Sequence, residues 1–313
     1  MRLVFLGTPQ FAVPTLERVL KAGHELLAVY TQPDRPKGRD HGLAASPVKQ
    51  AALRRGLAVR QPERIKQPEV IAELAALRPE AMVVVGYGQI IPRSIIEIPP
   101  FGIVNVHASL LPRYRGAAPV QWSIASGESA TGVTTMRIDA GLDTGDILLA
   151  AETPIGPEET AVELAERLAR LGADLLVETL DGLRAGNIQP RRQDHALATH
   201  APILRKEHGR IDWNLTAREV YNRVRGFVPW PGAYTGFRGQ RLHIWKARLA
   251  QALEAATPGL LRPAGRRLLA GCGDGAWLEL IEVQLEGKNK VPADAFMNGQ
   301  HLKQNETLGE MQK

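Results

Sequence analysis

Apolar and polar positions alternate on two different periods along this chain. In the first half, residues 3–6, 26–30, 57–60, 82–85 and 103–106 form short runs of mostly apolar side chains. Runs apolar on both faces predict strands of a parallel sheet covered by helices on each side. Between them lie "FAVPTLERVLKAG", "SPVKQAALRRG" and "PEVIAELAALRP", whose apolar residues recur at helical spacing. Gly23 is placed to end the first helix. Ser46 before Pro47 predicts a capped entry to the second. An open, doubly wound, Rossmann-like α/β domain follows.

After Gly127 the pattern changes. "TGVTTMRID" and "DILLAAETP" predict a strand pair joined by "AGLDTG". The stretch "TAVELAERLARLGADLLVETLDGL" then places Leu164, Leu168, Leu171 and Leu175 on one helical face. Thr160 and Glu163 have the spacing of a capping box. Residues 188–206 are polar and weakly patterned, and predict a linker between a domain of residues 1–187 and a second of residues 207–313. The second shows short strand-like runs such as "RLHIWKARL" and "AWLELIEVQL", separated by turn signals such as Asp274-Gly275. That pattern predicts an OB-like β-barrel.

The 313 residues carry a formal net charge of +6, and the excess is not spread evenly. Residues 205–313 hold 17 basic and 11 acidic side chains, whereas residues 1–204 are balanced. Residues 31–66 are a second basic region, with 9 against 3. Two basic regions point to a polyanion such as nucleic acid, and solvated surface charge is the plainer reading. The one cysteine, Cys272, excludes a disulfide framework and a thiolate-rich zinc site. No apolar run is long enough for a membrane helix, and the expectation is a cytoplasmic protein.

Ligands of open α/β sheets bind beyond the carboxyl ends of the strands. Asn105 and His107 fall at such an end, in "IVNVHASLLPRYRG", and Asp143 falls in "GLDTGD". An amide donor, an imidazole and a carboxylate that orients it suit a reaction that builds charge on a carbonyl oxygen and moves protons. The plainer readings are a structural histidine and a turn aspartate. No serine or cysteine sits in a nucleophile-elbow pattern. His107 has no metal-ligand neighbours in sequence, so no metal is expected. "FLGTPQFA" lacks the full dinucleotide pattern, and Gly7 reads as a geometric requirement of the turn. Arg113 and Arg115 either face phosphates or pair with local carboxylates.

Taken in order, Asn105-x-His107, "SLLPRYRGAAP" and "TGVTTMRIDAGLDTGDIL" resemble the folate-dependent formyltransferases. "FLGTPQFAVPTL", "TQPDRPKGR", "SPVKQAA", "VVVGYGQIIP", "RIDW" and "RVRGFVPWPGAY" resemble the branch that acts on initiator methionyl-tRNA. The similarity covers nearly the whole chain. It implies transfer of a formyl group from the co-substrate 10-formyltetrahydrofolate to the methionine α-amino group, with the C-terminal barrel helping to hold the tRNA. By resemblance Asn105, His107 and Asp143 are catalytic. Ser109, Leu110, Leu111 and Pro112, with Gln89, Ile90 and Ile91, line the folate site. Arg35, Lys37 and Arg39 belong to a basic loop that engages the acceptor stem. The loop departs from the family after Arg39, where Asp40, His41 and Gly42 replace the usual Gly and Lys. The expected partners are initiator methionyl-tRNA and folate, with no membrane, and the expected state is a monomer.

Two other readings remain beside this one. The first is a formyltransferase acting on a small amine, either a glycinamide ribonucleotide or an amino-sugar nucleotide; "PDRPKGR" argues against both. The second is a non-catalytic RNA-binding module on the same scaffold.

Overall fold

The computed structural model describes residues 1–37, 42–251, 254–303 and 306–309, with no side-chain description for Lys37. Arg39, Asp40 and His41 therefore lie outside the described residues. The chain forms two compact units. One comprises Met1–Gly116, Ala130–Pro154 and Ala165–His200, and the other Ala117–Ser129, Ile155–Leu164 and Ala201–Lys313.

The first unit is built on a seven-stranded sheet. Its strands are β1 (Arg2–Gly7), β2 (Glu25–Tyr30), β3 (Val59–Arg60), β4 (Ala81–Val85), β5 (Ile103–His107), β6 (Ala130–Arg137) and β7 (Ile147–Pro154). Their order is β7-β6-β5-β4-β1-β2-β3. Strands β1 to β5 pair in parallel, and β6 and β7 add an antiparallel edge. The parallel part thus has the Rossmann order, with its switch point between β1 and β4. Strand β3 is shorter than the apolar run at 57–60 implied.

Helices α1 (Val13–Lys21), α2 (Pro47–Arg54) and α3 (Pro68–Ala76) connect the parallel strands. Ser46 caps α2 by accepting from the Lys49 amide. Gly7 is confined by its neighbours, since a Cβ there would lie 3.1 Å from the Val85 carbonyl oxygen and closer still to the Phe5 ring. The turn therefore needs glycine for packing alone.

Helix α4 (Ala161–Ala185) is the long amphipathic element. Thr160 and Glu163 exchange hydrogen bonds at its start, and Leu164, Leu168 and Leu175 are buried. It presses close to the sheet at Gly172, where a Cβ would fall 2.7 Å from Val106. Beside that contact the buried hydroxyls of Thr179 and Thr135 share a hydrogen bond of 2.8 Å. Val104 and Val106 thus face α4. Ile103 joins the cluster of Met82, Val84, Leu74 and Ile95 on the opposite face. By the two-residue period of a strand, Asn105 and His107 share that opposite face.

The second unit is antiparallel β, as the C-terminal pattern implied. Strands β8 (Ala233–Phe237), β9 (Gln240–Leu249), β10 (Leu261–Ala264), β11 (Arg267–Gly271) and β12 (Trp277–Leu285) pair in the order β8-β9-β12-β11-β10. Among the described residues this path does not close into a ring. Helices α5 (Ala217–Gly226) and α6 (Ala293–Gln300) cover its core of Val220, Leu242, Ile244, Leu268, Leu278 and Phe296. Cys272 lies in this core, and burial pushes its thiol up to about 12. No described helix is long and apolar enough to cross a membrane.

Candidate active site

The last residues of β5 bring Asn105 and His107 to one place. The His107 ring is buried, and its Nε2 lies 2.9 Å from the Tyr114 carbonyl oxygen. A carbonyl can only accept, so Nε2 carries the proton and donates it there. That leaves Nδ1 as the nitrogen available for exchange. It faces Asp143, whose Oδ2 is 3.7 Å away. This is an ion-pair distance and too long for a direct hydrogen bond. Asn105 is partly exposed, and its side-chain amide has no hydrogen-bond partner among the described residues. Its two donor hydrogens are free for a ligand.

Asp143 arrives by an indirect route. Strand β6 runs antiparallel to β5, so its end, Arg137, lies beside Val104 rather than His107. The connection to β7 must therefore fold back to reach the imidazole. Asp139 holds that return, accepting from the Gly141 amide at 3.0 Å and from the Thr144 hydroxyl at 2.7 Å. Gly145 passes so close to its own starting strand that a Cβ would meet the Arg137 carbonyl oxygen at 1.9 Å. Asp143 itself is left-handed, with φ of 52°, a conformation aspartate tolerates better than most residues. Its Oδ2 accepts from the Gly116 amide at 2.9 Å.

The residues expected to line a folate site divide into two groups. Ser109 is buried, and its hydroxyl donates to the Arg113 carbonyl at 2.6 Å. Its own carbonyl accepts from Thr134 Oγ1, which in turn accepts from the Leu111 amide. These bonds fix the "SLLP" turn. Leu111 packs with Met136 and Ile147, Leu110 lies against Gly132, and Pro112 is partly exposed. Gln89 is turned away to brace residues 62–65, accepting from the Ile65 amide and donating to the Pro62 and Glu63 carbonyls. Ile91 is core, whereas Ile90 is 90% exposed. Of Gln89, Ile90 and Ile91, only Ile90 presents an unused side chain. Near the switch point Thr8 Oγ1 and Gln32 Nε2 both donate to the Tyr87 carbonyl, tying together the three loops that follow β1, β2 and β4.

Arg35 is exposed on a short hairpin of Arg35–Lys37 with Gly42–Ala44. Lys49 does not add free charge here, because its Nζ sits 2.6 Å from Asp34 Oδ2. Among the described residues no cluster of histidine, cysteine and carboxylate groups could hold a metal ion.

Arg115 takes neither of the roles left open for it. It is buried, with its Nε and Nη2 on Gln193 Oε1 at 3.1 and 2.6 Å. Gln193 comes from the polar stretch read as a linker, and no sequence signal marks it. Arg113 is exposed, with its guanidinium over the Tyr114 ring.

Comparison with known proteins places the chain in a family. The profile of the formyl transferase family matches residues 1–180, and that of the formyl transferase C-terminal domain matches residues 203–301. A methionyl-tRNA formyltransferase of Solibacter usitatus is 63% identical over 310 residues, covering 99% of both chains. Another, from Koribacter versatilis, is 58% identical over 313 residues, again with 99% of each chain covered. The chain belongs to the methionyl-tRNA formyltransferase family. The fold also matches an N-formyltransferase of Helicobacter canadensis solved with folinic acid and dTDP-3-aminofucose. That match has a TM-score of 0.66 at 19% identity over 89% of this chain and 98% of that one. At that identity the likeness speaks for the formyltransferase fold alone. The small-amine alternative therefore gains no support beyond the scaffold it shares with this family.

Proposed function

We propose that this chain transfers the formyl group of 10-formyltetrahydrofolate to the α-amino group of methionine on initiator methionyl-tRNA. The observation that carries the reading is a buried His107, fixed by the Tyr114 carbonyl with Nδ1 facing Asp143, at the strand end it shares with Asn105. The family relationship supplies the two substrates.

In the reaction the methionine amine adds to the formyl carbon, and the carbonyl oxygen gains negative charge. Asn105 donates from its amide to that oxygen. His107, protonated at Nδ1, supplies a second donor and a positive charge. Preorganised donors of this kind are worth about 3 kcal/mol each. Asp143 accepts a proton from the attacking amine, directly or through water. As the oxyanion collapses and the bond from the formyl carbon to the folate nitrogen breaks, His107 Nδ1 gives its proton to that nitrogen and regains one from Asp143. The Tyr114 carbonyl keeps the ring from rotating throughout.

The folate site draws on residues 109–112 and on the 89–91 segment, with Ile90 as its exposed apolar contact. Gln89 and Ile91 support that wall from behind. We assign tRNA contacts to Arg35, Lys37 and Arg39, and to the basic surface of residues 207–313. The enzyme acts as a monomer in the cytoplasm, where initiator tRNA is charged.

The test uses purified chain with 10-formyltetrahydrofolate and three acceptors: methionyl-initiator tRNA, methionyl-elongator tRNA and a dTDP-linked amino sugar. Formylation of the initiator at a kcat/KM far above the other two is expected. Preference for the amino sugar, or no transfer at all, would overturn the reading.

A further inference from the structure

Gln193 lies between the two regions matched by the family profiles, and the reaction scheme above does not use it. Its side chain is only 3% exposed. Both hydrogens of its amide are spent on the returning loop: Nε2 donates to the Asp143 carbonyl at 2.9 Å and to the Gly145 carbonyl at 2.7 Å. Its Oε1 accepts from two nitrogens of Arg115. Carbonyls only accept and a guanidinium only donates, so just one orientation of this amide satisfies all four bonds.

Arg115 is itself 5% exposed, and its third nitrogen, Nη1, is directed at His195 Nδ1 at 3.2 Å. Among the described residues no carboxylate pairs with it. Burying a guanidinium against neutral acceptors is costly. What it secures here is the orientation of Gln193. Residues 114, 115 and 116 then act as a single fixture. Tyr114 holds His107 by its carbonyl, Arg115 holds Gln193, and Gly116 holds the Asp143 carboxylate by its amide. Asp143 is thus gripped at both ends, backbone and side chain, in a left-handed conformation that needs such restraint.

We propose that Gln193, clamped by Arg115, is the positioning residue that sets the Asp143 carboxylate at His107 for formyl transfer. The proposal rests on the assignment of Asp143 and His107 to the chemistry.

The experiment is a double-mutant cycle between Gln193→Glu and Asp143→Asn, read as kcat and KM for methionyl-tRNA and for 10-formyltetrahydrofolate. Gln193→Glu keeps an acceptor for Arg115 but has no hydrogens for the two carbonyls. It is expected to lower kcat by about 10-fold to 10²-fold, the scale of a roughly 1 Å misplacement, with both KM values within about twofold. In the Asp143→Asn background it should cost less than about twofold, because the group it positions is already lost. Gln193→Met, of similar size and without donors, should give the same pattern if Gln193→Glu does not fold. Unchanged kcat would overturn the inference. So would an equal loss in both backgrounds, or a loss that only tracks a lowered Tm. Wild-type enzyme is the control: if it fails to formylate methionyl-tRNA, the functional reading falls first. If wild type is active and the variant matches it, only the role of Gln193 falls.

Discussion

Asn105 and His107 differ in how the protein uses them. The histidine is held through one nitrogen by the Tyr114 carbonyl and turns the other toward Asp143. The Asn105 amide is partly exposed and has no hydrogen-bond partner among the described residues. An unpaired amide at the end of a core strand costs stability unless solvent or ligand takes it. Replacing Asn105 by alanine is therefore expected to cost little Tm but to lower kcat by about 10²-fold or more. Steady-state kinetics with thermal denaturation checks both. The apolar run put Asn105 and His107 at the carboxyl end of a strand and Asp143 in a glycine-rich loop, and the resemblance then joined the three. Arg115 was not legible, because an arginine two residues past "SLLPR" has the same local sequence context whether it faces phosphate or a buried amide. Gln193 was not legible either. Its partners lie 48 to 78 positions away along the chain, and no periodicity reports such contacts.

At the scale of elements, the loop from β6 to β7 decides whether the site exists. Its dependence on Gly145 is steric, with the Arg137 carbonyl oxygen where a Cβ would go. Gly145→Ala is expected to displace Asp143 and lower kcat along with stability, by about 1–3 kcal/mol of unfolding free energy. Kinetics and urea unfolding read the two effects. Sequence patterning found both strands flanking this loop and its aspartate. It did not show that β6 ends beside Val104, so that the chain must double back, because pairing direction is set by tertiary packing. The basic hairpin belongs to the same scale. Arg35 is exposed there, and Lys49 is neutralised by Asp34, which leaves fewer free cations than the sequence count implied. Arg39→Ala is expected to raise KM for tRNA several-fold while leaving KM for the folate unchanged. An equal rise in both would argue against an acceptor-stem role.

Across the whole molecule, acid sensitivity should begin with two histidines. Burial is the first cause holding His24 below its ordinary value of 6.5, and His243 likewise, with Arg241 adding to the effect on His243. His243 Nδ1 also has no hydrogen-bond partner among the described residues. Below pH 6.5 the unfolded chain takes up protons that the folded chain resists. Stability therefore rises with pH from the folded value of each group up to 6.5, and falls as pH drops through that window. Tm measured from pH 7.5 to 5.5 should decline. His243→Gln should flatten part of the decline, and an identical slope in the variant would refute the assignment. The α/β and antiparallel classes were legible from the switch in period along the chain. The path by which the C-terminal strands pair was not, since short antiparallel strands of similar composition admit several orders.

The central claim is that His107 performs chemistry rather than holding tRNA. Single-turnover formyl transfer to methionyl-initiator tRNA by His107→Ala, with tRNA affinity measured on the same preparation, tests it most directly. A rate lower by about 10²-fold or more is expected, with affinity within about twofold of wild type. A wild-type rate in the variant, or a loss explained entirely by weaker tRNA binding, would contradict it.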